Sequence, residues 1–152
     1  MMTLDTSGLF ALLNRRDPDH ERARDALLED PGPYLVPAGI LAEVAYLVER
    51  RLGIEVLEGF LLDLEGGGLT LECGEEDMPR IRDLARRYAD LPLGFADASV
   101  ISCAERSGGA VLTLDRRDFD VVAAESKNRA PTLNPIQESR TDAALQSRKT
   151  LL

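Results

Sequence analysis

The sequence is poor in the residues that several common chemistries require. Its 152 residues include one histidine and two cysteines. His20 lies in a polar run, Asp17-Pro18-Asp19-His20-Glu21-Arg22, where the first turn of a helix would leave its ring solvated. Ser-His-Asp catalysis is disfavoured on that ground. Cys73 and Cys103 are too few and too far apart for a zinc site, and they read as buried, reduced thiols. No apolar run approaches the roughly 18 residues that a membrane-spanning helix needs. The second residue already falls in the first predicted strand, which leaves no room for a signal peptide. The expectation is a cytoplasmic protein without membrane contact. Gly66-Gly67-Gly68 lacks the Lys-Ser/Thr and the following helix of a phosphate-binding loop, so it reads as a flexible link.

Positive charge is scarce as well. The net charge is −9, and it is unevenly spread: residues 1–125 hold 13 Lys and Arg against 25 Asp and Glu, whereas 126–152 hold five against two. Tight nonspecific binding of nucleic acid rests on Lys and Arg neutralising phosphates, and an acidic body excludes that route. If nucleic acid is the substrate, metal ions and local arginine pairs must supply the attraction. Apolar residues are plentiful, at 44%, and a chain of this length buries roughly two thirds of its unfolded surface. One domain is expected over 1–125. The polar, basic segment 126–152, interrupted by Pro131 and Pro135, is either a disordered tail or a replacement for a last strand.

Short apolar runs alternate with longer helical patterns, which predicts an α/β fold with a mostly parallel sheet and helices on its faces. Strands are expected at 2–5, 34–36, 69–72 and 110–114. Asp17-Pro18 opens a helix that runs to 28, a second spans 39–52 and stops at Gly53, and a third spans 54–64. Asp77-Met78-Pro79 opens another, with Ile81, Leu84, Ala85 and Tyr88 on one face, and 94–106 forms the last.

Four acids stand where apolar segments break off: Asp5, Glu43, Asp97 and Asp115. A carboxylate among apolar neighbours is costly to desolvate without a counter-charge, and no Lys or Arg alternates with these four at contact spacing. Asp5 and Asp115 end strands, and ligands of open parallel sheets bind beyond the carboxyl ends of strands. Glu43 and Asp97 lie in the first turns of helices that can begin at the same edge. Oxygen-only ligands suit Mg²⁺ or Mn²⁺, which are typically shared with substrate phosphates. Each acid alone also has a plainer reading. Asp97 could serve a helix dipole, Asp5 a cap, Asp115 a turn, and Glu43 a solvated helix face; their joint placement favours a site. Asp90 reads as a turn residue, and Arg116 and Arg117 as a solvated charge run.

At these acids the chain resembles the PIN domain nucleases, and within them the VapC toxins of bacterial and archaeal toxin–antitoxin pairs. The resemblance is carried by Leu4-Asp5-Thr6-Ser7-Gly8-Leu9, Leu41-Ala42-Glu43-Val44, the run from Tyr88 through Asp97-Ala98, and Leu112-Thr113-Leu114-Asp115-Arg116-Arg117-Asp118-Phe119. It implies a three-layer α/β/α PIN-like domain and an Mg²⁺- or Mn²⁺-dependent endoribonuclease. Asp5, Glu43, Asp97 and Asp115 then match the acidic quartet as metal ligands and catalytic residues. Thr6 or Ser7 matches the hydroxyl that often follows the first Asp. Thr113 and Asp118 are further supporting candidates, because a neighbouring side chain can fix a carboxylate's rotamer. Hydrolysis at such a site leaves 5′-phosphate and 3′-hydroxyl ends. The family also implies an RNA substrate, a cognate antitoxin and a homodimer, joined through apolar helix faces around 41–52 and 81–88. A phosphotransfer domain is disfavoured, since Ser7 stands where its second acid would be. The remaining alternative is a catalytically inactive PIN-fold module that binds RNA or protein.

Overall fold

The computed structural model describes residues 1–91, 93–115, 119–122 and 134–135. Five strands, β1 (Met2–Leu4), β2 (Tyr34–Pro37), β3 (Thr70–Glu72), β4 (Ala110–Leu112) and β5 (Asn134–Pro135), form one sheet in the order β3-β2-β1-β4-β5, and every pair is parallel. Parallel sheets are covered on both faces, so their inner strands are apolar throughout rather than alternating. β1 is buried over its whole length, and Leu4, Val36 and Leu112 have no exposed surface.

Helices cover the sheet, among them α1 (Thr6–Leu13), α2 (His20–Glu29), α3 (Leu41–Leu52), α4 (Ile54–Glu65), α5 (Met78–Arg87) and α6 (Phe95–Arg106). β1 steps to β2 and β2 to β3 in one direction, while α5 and α6 carry the chain back across the sheet to β4. Right-handed crossovers then put α1–α4 on one face and α5–α6 on the other. The packing agrees: α1 lies against α2 and α3, α3 against α4, and α5 against α6. The chain has the three-layer α/β/α arrangement. Between β1 and β4 the connections leave in opposite directions, which makes that pair the switch point at which such sheets bind ligands.

α6 is the central support. Its residues from Ala98 through Ala104 are all buried, and the alanines, serines and cysteine among them let it approach β1, β2 and β4 closely. α5 is held onto it by Arg80, whose Nε and Nη2 each donate to Glu105 at 2.7 Å and whose Nη1 donates to Asp83 at 2.7 Å. The hydrogen bond to Glu105 raises the Arg80 pKa, against burial and with help from the Glu105 and Asp83 charges.

The predicted strands agree with β1–β4 to within two residues. β5 falls in the stretch read as either a tail or a replacement for a last strand, where Asn134 pairs with Ala110 and Pro135 with Val111. An edge strand tolerates proline because one side of its backbone needs no partner. Two expectations are corrected. Cys73 and Cys103 are buried, but they are joined in a disulfide, with Cα atoms 5.4 Å apart, rather than left as reduced thiols. The end of β3 lies beside the middle of α6, and Leu35 completes their small cluster. The face of α5 bearing Ile81, Leu84 and Tyr88 is also not spare surface, since all three are buried in the core. The α3–α4 pair carries four exposed large apolar residues, Tyr46, Ile54, Leu61 and Leu62. Among the described residues no helix is long and apolar enough to cross a membrane.

Candidate active site

The register of the sheet decides what meets at the switch point. Thr3 pairs with Val111 and Leu4 with Leu112, so Asp5 and Thr113 leave the sheet side by side. The Asp5 N–H donates to the Leu112 carbonyl at 3.0 Å, extending the pairing one step past β1. Asp5 is 5% exposed and is the N-cap of α1.

Three donors fall on one oxygen of that carboxylate. Ser7 Oγ donates to Asp5 Oδ2 at 2.7 Å, Thr113 Oγ1 donates to it at 2.8 Å, and the Ser7 N–H reaches it at 3.4 Å. Ser7 Oγ in turn accepts from the Leu114 N–H at 2.9 Å, and Thr113 Oγ1 accepts from the Asp115 N–H at 3.1 Å. The two hydroxyls thus tie the end of β4 to the start of α1. Oδ1 of Asp5 accepts no hydrogen bond from the described residues. A carboxylate with one oxygen locked and the other open is oriented for a cation, in the way that surrounding hydrogen bonds orient metal ligands.

Close approach of α1 to β4 depends on Gly8. A Cβ there would stand 2.4 Å from the Leu112 carbonyl oxygen, so any side chain would push the helix and its Ser7 away from the strand. Gly39 plays the same part on the other side of β1. It lies in the 3₁₀ turn Ala38–Ile40 that leads into α3, and a Cβ would come within 2.2 Å of Ser99 Oγ on α6. The helices that carry Glu43 and Asp97 are therefore packed together near their N-termini.

The remaining predicted residues are placed as follows. Asp97 is half-buried, and its Oδ2 accepts from the Gly94 N–H at 3.2 Å at the head of α6. Glu43 is exposed in the first turn of α3, and Asp115 is exposed three residues beyond β4. Of the two hydroxyls following Asp5, Ser7 makes the contact, whereas Thr6 Oγ1 is buried with no hydrogen-bond partner among the described residues. Asp118, Arg116 and Arg117 lie outside the described residues. Asp90 is exposed in the turn after α5. His20 is occupied elsewhere, with Nδ1 2.9 Å from the Ala11 carbonyl oxygen, so it links α2 to α1. Among the described residues no three Asp, Glu, His or Cys side chains are gathered tightly enough to hold a metal. The structure brings together Asp5, Ser7, Thr113 and the Asp115 backbone, and does not gather the carboxylates of Glu43, Asp97 and Asp115 into a cluster with Asp5 among the described residues. The donor chemistry fits a hard cation: Asp5 presents an open oxygen, and every other candidate ligand is also a carboxylate.

The PIN domain family model matches residues 2–125. The chain belongs to the PIN domain family. A relative, Ribonuclease VapC26 of Mycobacterium tuberculosis (strain ATCC 25618 / H37Rv), is 32% identical over 123 residues, which is 80% of this chain and 91% of that protein. The crystal structure of Mycobacterium tuberculosis VapC20, described as a sarcin–ricin loop cleaving toxin, has a TM-score of 0.71 at 20% identity, covering 80% of this chain and 95% of that one. That likeness is one of fold.

Arginines elsewhere on this PIN domain are engaged by its own acids. Arg106 bonds Glu76, reaches Asp77 at 3.2 Å and lies 3.8 Å from Glu72. Burial works to lower its pKa, but the hydrogen bond to Glu76 and the charges of Asp77, Glu76 and Glu72 outweigh it and raise the value. Gly8 and Gly39 were not singled out from the sequence. The local signal at Gly8 is the small-residue run Thr6-Ser7-Gly8 after Asp5, which is compatible with a turn as well as with a close contact.

Proposed function

We propose that this PIN domain is a divalent-metal-dependent endoribonuclease, the toxin of a toxin–antitoxin pair, acting on RNA in the cytoplasm. The observation that carries the reading is the Asp5 carboxylate at the β1–β4 switch point, fixed by Ser7 and Thr113 on one oxygen and open on the other. The ribonuclease name of its 32%-identical relative supports it. Asp5, Asp97 and Asp115 are assigned as ligands of Mg²⁺ or Mn²⁺, and Glu43 as a ligand or an orienting base. When bound, such a cation supplies Lewis-acid stabilisation of phosphoryl charge and acidifies water. Ser7 and Thr113 hold the Asp5 rotamer, and Gly94 and α6 hold Asp97. The non-cleaving alternative draws on the separation of the carboxylates among the described residues. Metal-dependent cleavage of RNA decides between the two.

Two results are expected. Mg²⁺ or Mn²⁺ at about ten times its Kd stabilises the fold by roughly 1.4 kcal/mol through mass action, a rise of about 3 to 6 °C in melting temperature. Asp5→Asn should gain less. A melting curve indifferent to both metals would remove the case for a cation site. Thr113→Val, which keeps shape but loses the hydroxyl, should lower metal affinity or activity by roughly 10- to 100-fold, as loss of a ligand-orienting hydrogen bond does. Cleavage at the wild-type rate would mean that Asp5 needs no such clamp.

For the antitoxin, a cleft of about 1190 Å³ lies between α1, α2 and the α3–α4 pair, with Phe10, Leu13, Leu52 and Val56 on its wall. It suits an apolar helix, from which a basic segment would continue into the acidic site. The homodimer is assigned to the exposed apolar surface of α3 and α4, including Tyr46 and Ile54.

A further inference from the structure

Phe95 is 52% exposed at the first position of α6, two residues before Asp97. A large aromatic so exposed contributes little to the core, which α6 builds instead from Ala98 through Ala104. The ring is nevertheless fixed. Its Cε1 lies 3.1 Å from where a Cβ on Gly39 would stand, so the ring edge rests on the glycine backbone. The Phe95 carbonyl accepts from Ser99 Oγ at 2.7 Å, which anchors the first turn beneath it. Gly39 leads through the 3₁₀ turn into α3, four residues before Glu43. The ring therefore bridges the two elements that carry Glu43 and Asp97.

This placement answers a difficulty raised by composition. The chain carries a net charge of −9, and both of its lysines, Lys127 and Lys149, fall in 126–152. Several arginines of the body are neutralised by their own acids, Arg80 by Glu105 and Arg106 by Glu76 and Asp77 among them. Backbone electrostatics of the usual kind are weak here. Stacking of an unpaired base on an aromatic ring gives affinity without charge, and it is the commonest way in which single-stranded RNA is held. We infer that Phe95 is the stacking platform for an unpaired base next to the scissile phosphate. This inference rests on the endoribonuclease reading. Phe95 is a binding residue and performs no chemistry.

The test uses steady-state cleavage of a short single-stranded RNA, together with a direct binding signal. Phe95→Ala and Phe95→Leu should each raise KM roughly tenfold, the scale of one lost base stack, with kcat within about twofold and the metal-induced rise in melting temperature unchanged. Phe95→Leu keeps the apolar contact with Gly39, so a loss shared by both variants belongs to the ring and not to folding. Phe95→Trp should restore KM. The chain has no tryptophan, so that variant carries a single indole, and in an Asp115→Asn background its emission should be quenched by the RNA but not by an abasic chain of equal charge. Wild-type KM in Phe95→Ala, or equal quenching by the abasic chain, overturns the proposal. So does a Phe95→Ala protein that cleaves normally but escapes inhibition by the antitoxin, which would make Phe95 a protein contact. If wild type does not cleave RNA at all, the nuclease reading fails, and the quenching comparison still decides whether a base stacks at position 95.

Discussion

Asp5→Asn, Asp97→Asn and Asp115→Asn should each lower metal-dependent RNA cleavage on the order of a thousandfold while leaving the protein folded. Each substitution removes a ligand charge and almost no volume. A bound cation contributes several kcal/mol to stabilising charge in the transition state, and each 1.36 kcal/mol is a factor of ten in rate. Stability should move differently in the three. Asp5 and Asp97 also accept backbone hydrogen bonds at the heads of α1 and α6, and an amide oxygen can still accept there, so the cost is expected to be under about 1 kcal/mol. Asp115 is exposed and should cost nothing measurable. The decisive measurement is cleavage of one RNA by the wild type and the three variants, paired with melting curves. Three variants that cut at the wild-type rate would end the nuclease assignment. Variants that unfold would reduce the acids to caps.

The second large effect concerns the disulfide. Cys73 and Cys103 are 30 residues apart in sequence, and closing a loop of that length removes denatured-chain entropy worth roughly 3 to 4 kcal/mol. For a domain of this size, reduction should lower the melting temperature by roughly 7 to 15 °C. Protein purified without reductant and then denatured should show no titratable thiol, and Cys103→Ser should melt like the reduced wild type. Two free thiols and a melting point indifferent to reductant would return the pair to the reduced state that composition suggested. A cytoplasmic setting keeps most thiols reduced, so the bond's survival would depend on access. Cys73 is 3% exposed and Cys103 is fully buried.

The fold was readable because a parallel sheet with helices on both faces enforces a simple alternation. Buried strands such as Met2–Leu4 and Ala110–Leu112 must be apolar on both sides, and amphipathic helices fill the intervals between them. Parallel strands end at the same edge, which is why Asp5 and Asp115 are expected to leave the sheet on one side; the pairing of Asp5 with Thr113 comes from the register of β1 and β4. Where the reading failed, the deciding contacts join residues far apart in sequence. The Cys73–Cys103 bond depends on β3 ending next to α6, and nothing near either cysteine signals it. The apolar face of α5 looked like surplus surface because the burial that uses it is supplied by α6. For 126–152 composition leaves a tail and a replacement for a last strand equally open, and the choice for Asn134–Pro135 is made by the free edge of β4. Thr6 and Ser7 are alike as side chains; which of them faces the carboxylate was settled by the start of α1 and by the Leu114 N–H, not by residue type.

The clamp on Asp5 also carries a schedule. Thr113 lies 108 positions after the carboxylate it holds, and Ser7 receives its own hydrogen bond from Leu114, 107 positions later. Ribosomes add about 5 to 20 residues per second, so between the emergence of Asp5 and that of Thr113 a growing chain passes roughly 5 to 20 seconds with only the neighbouring Ser7 to hold the acid. During that interval β1 lacks its β4 neighbour, and a cut-short product ending before residue 113 has Ser7 but not Thr113 to hold Asp5. The carboxylate therefore reaches its fully clamped form only when β4 slots in beside β1.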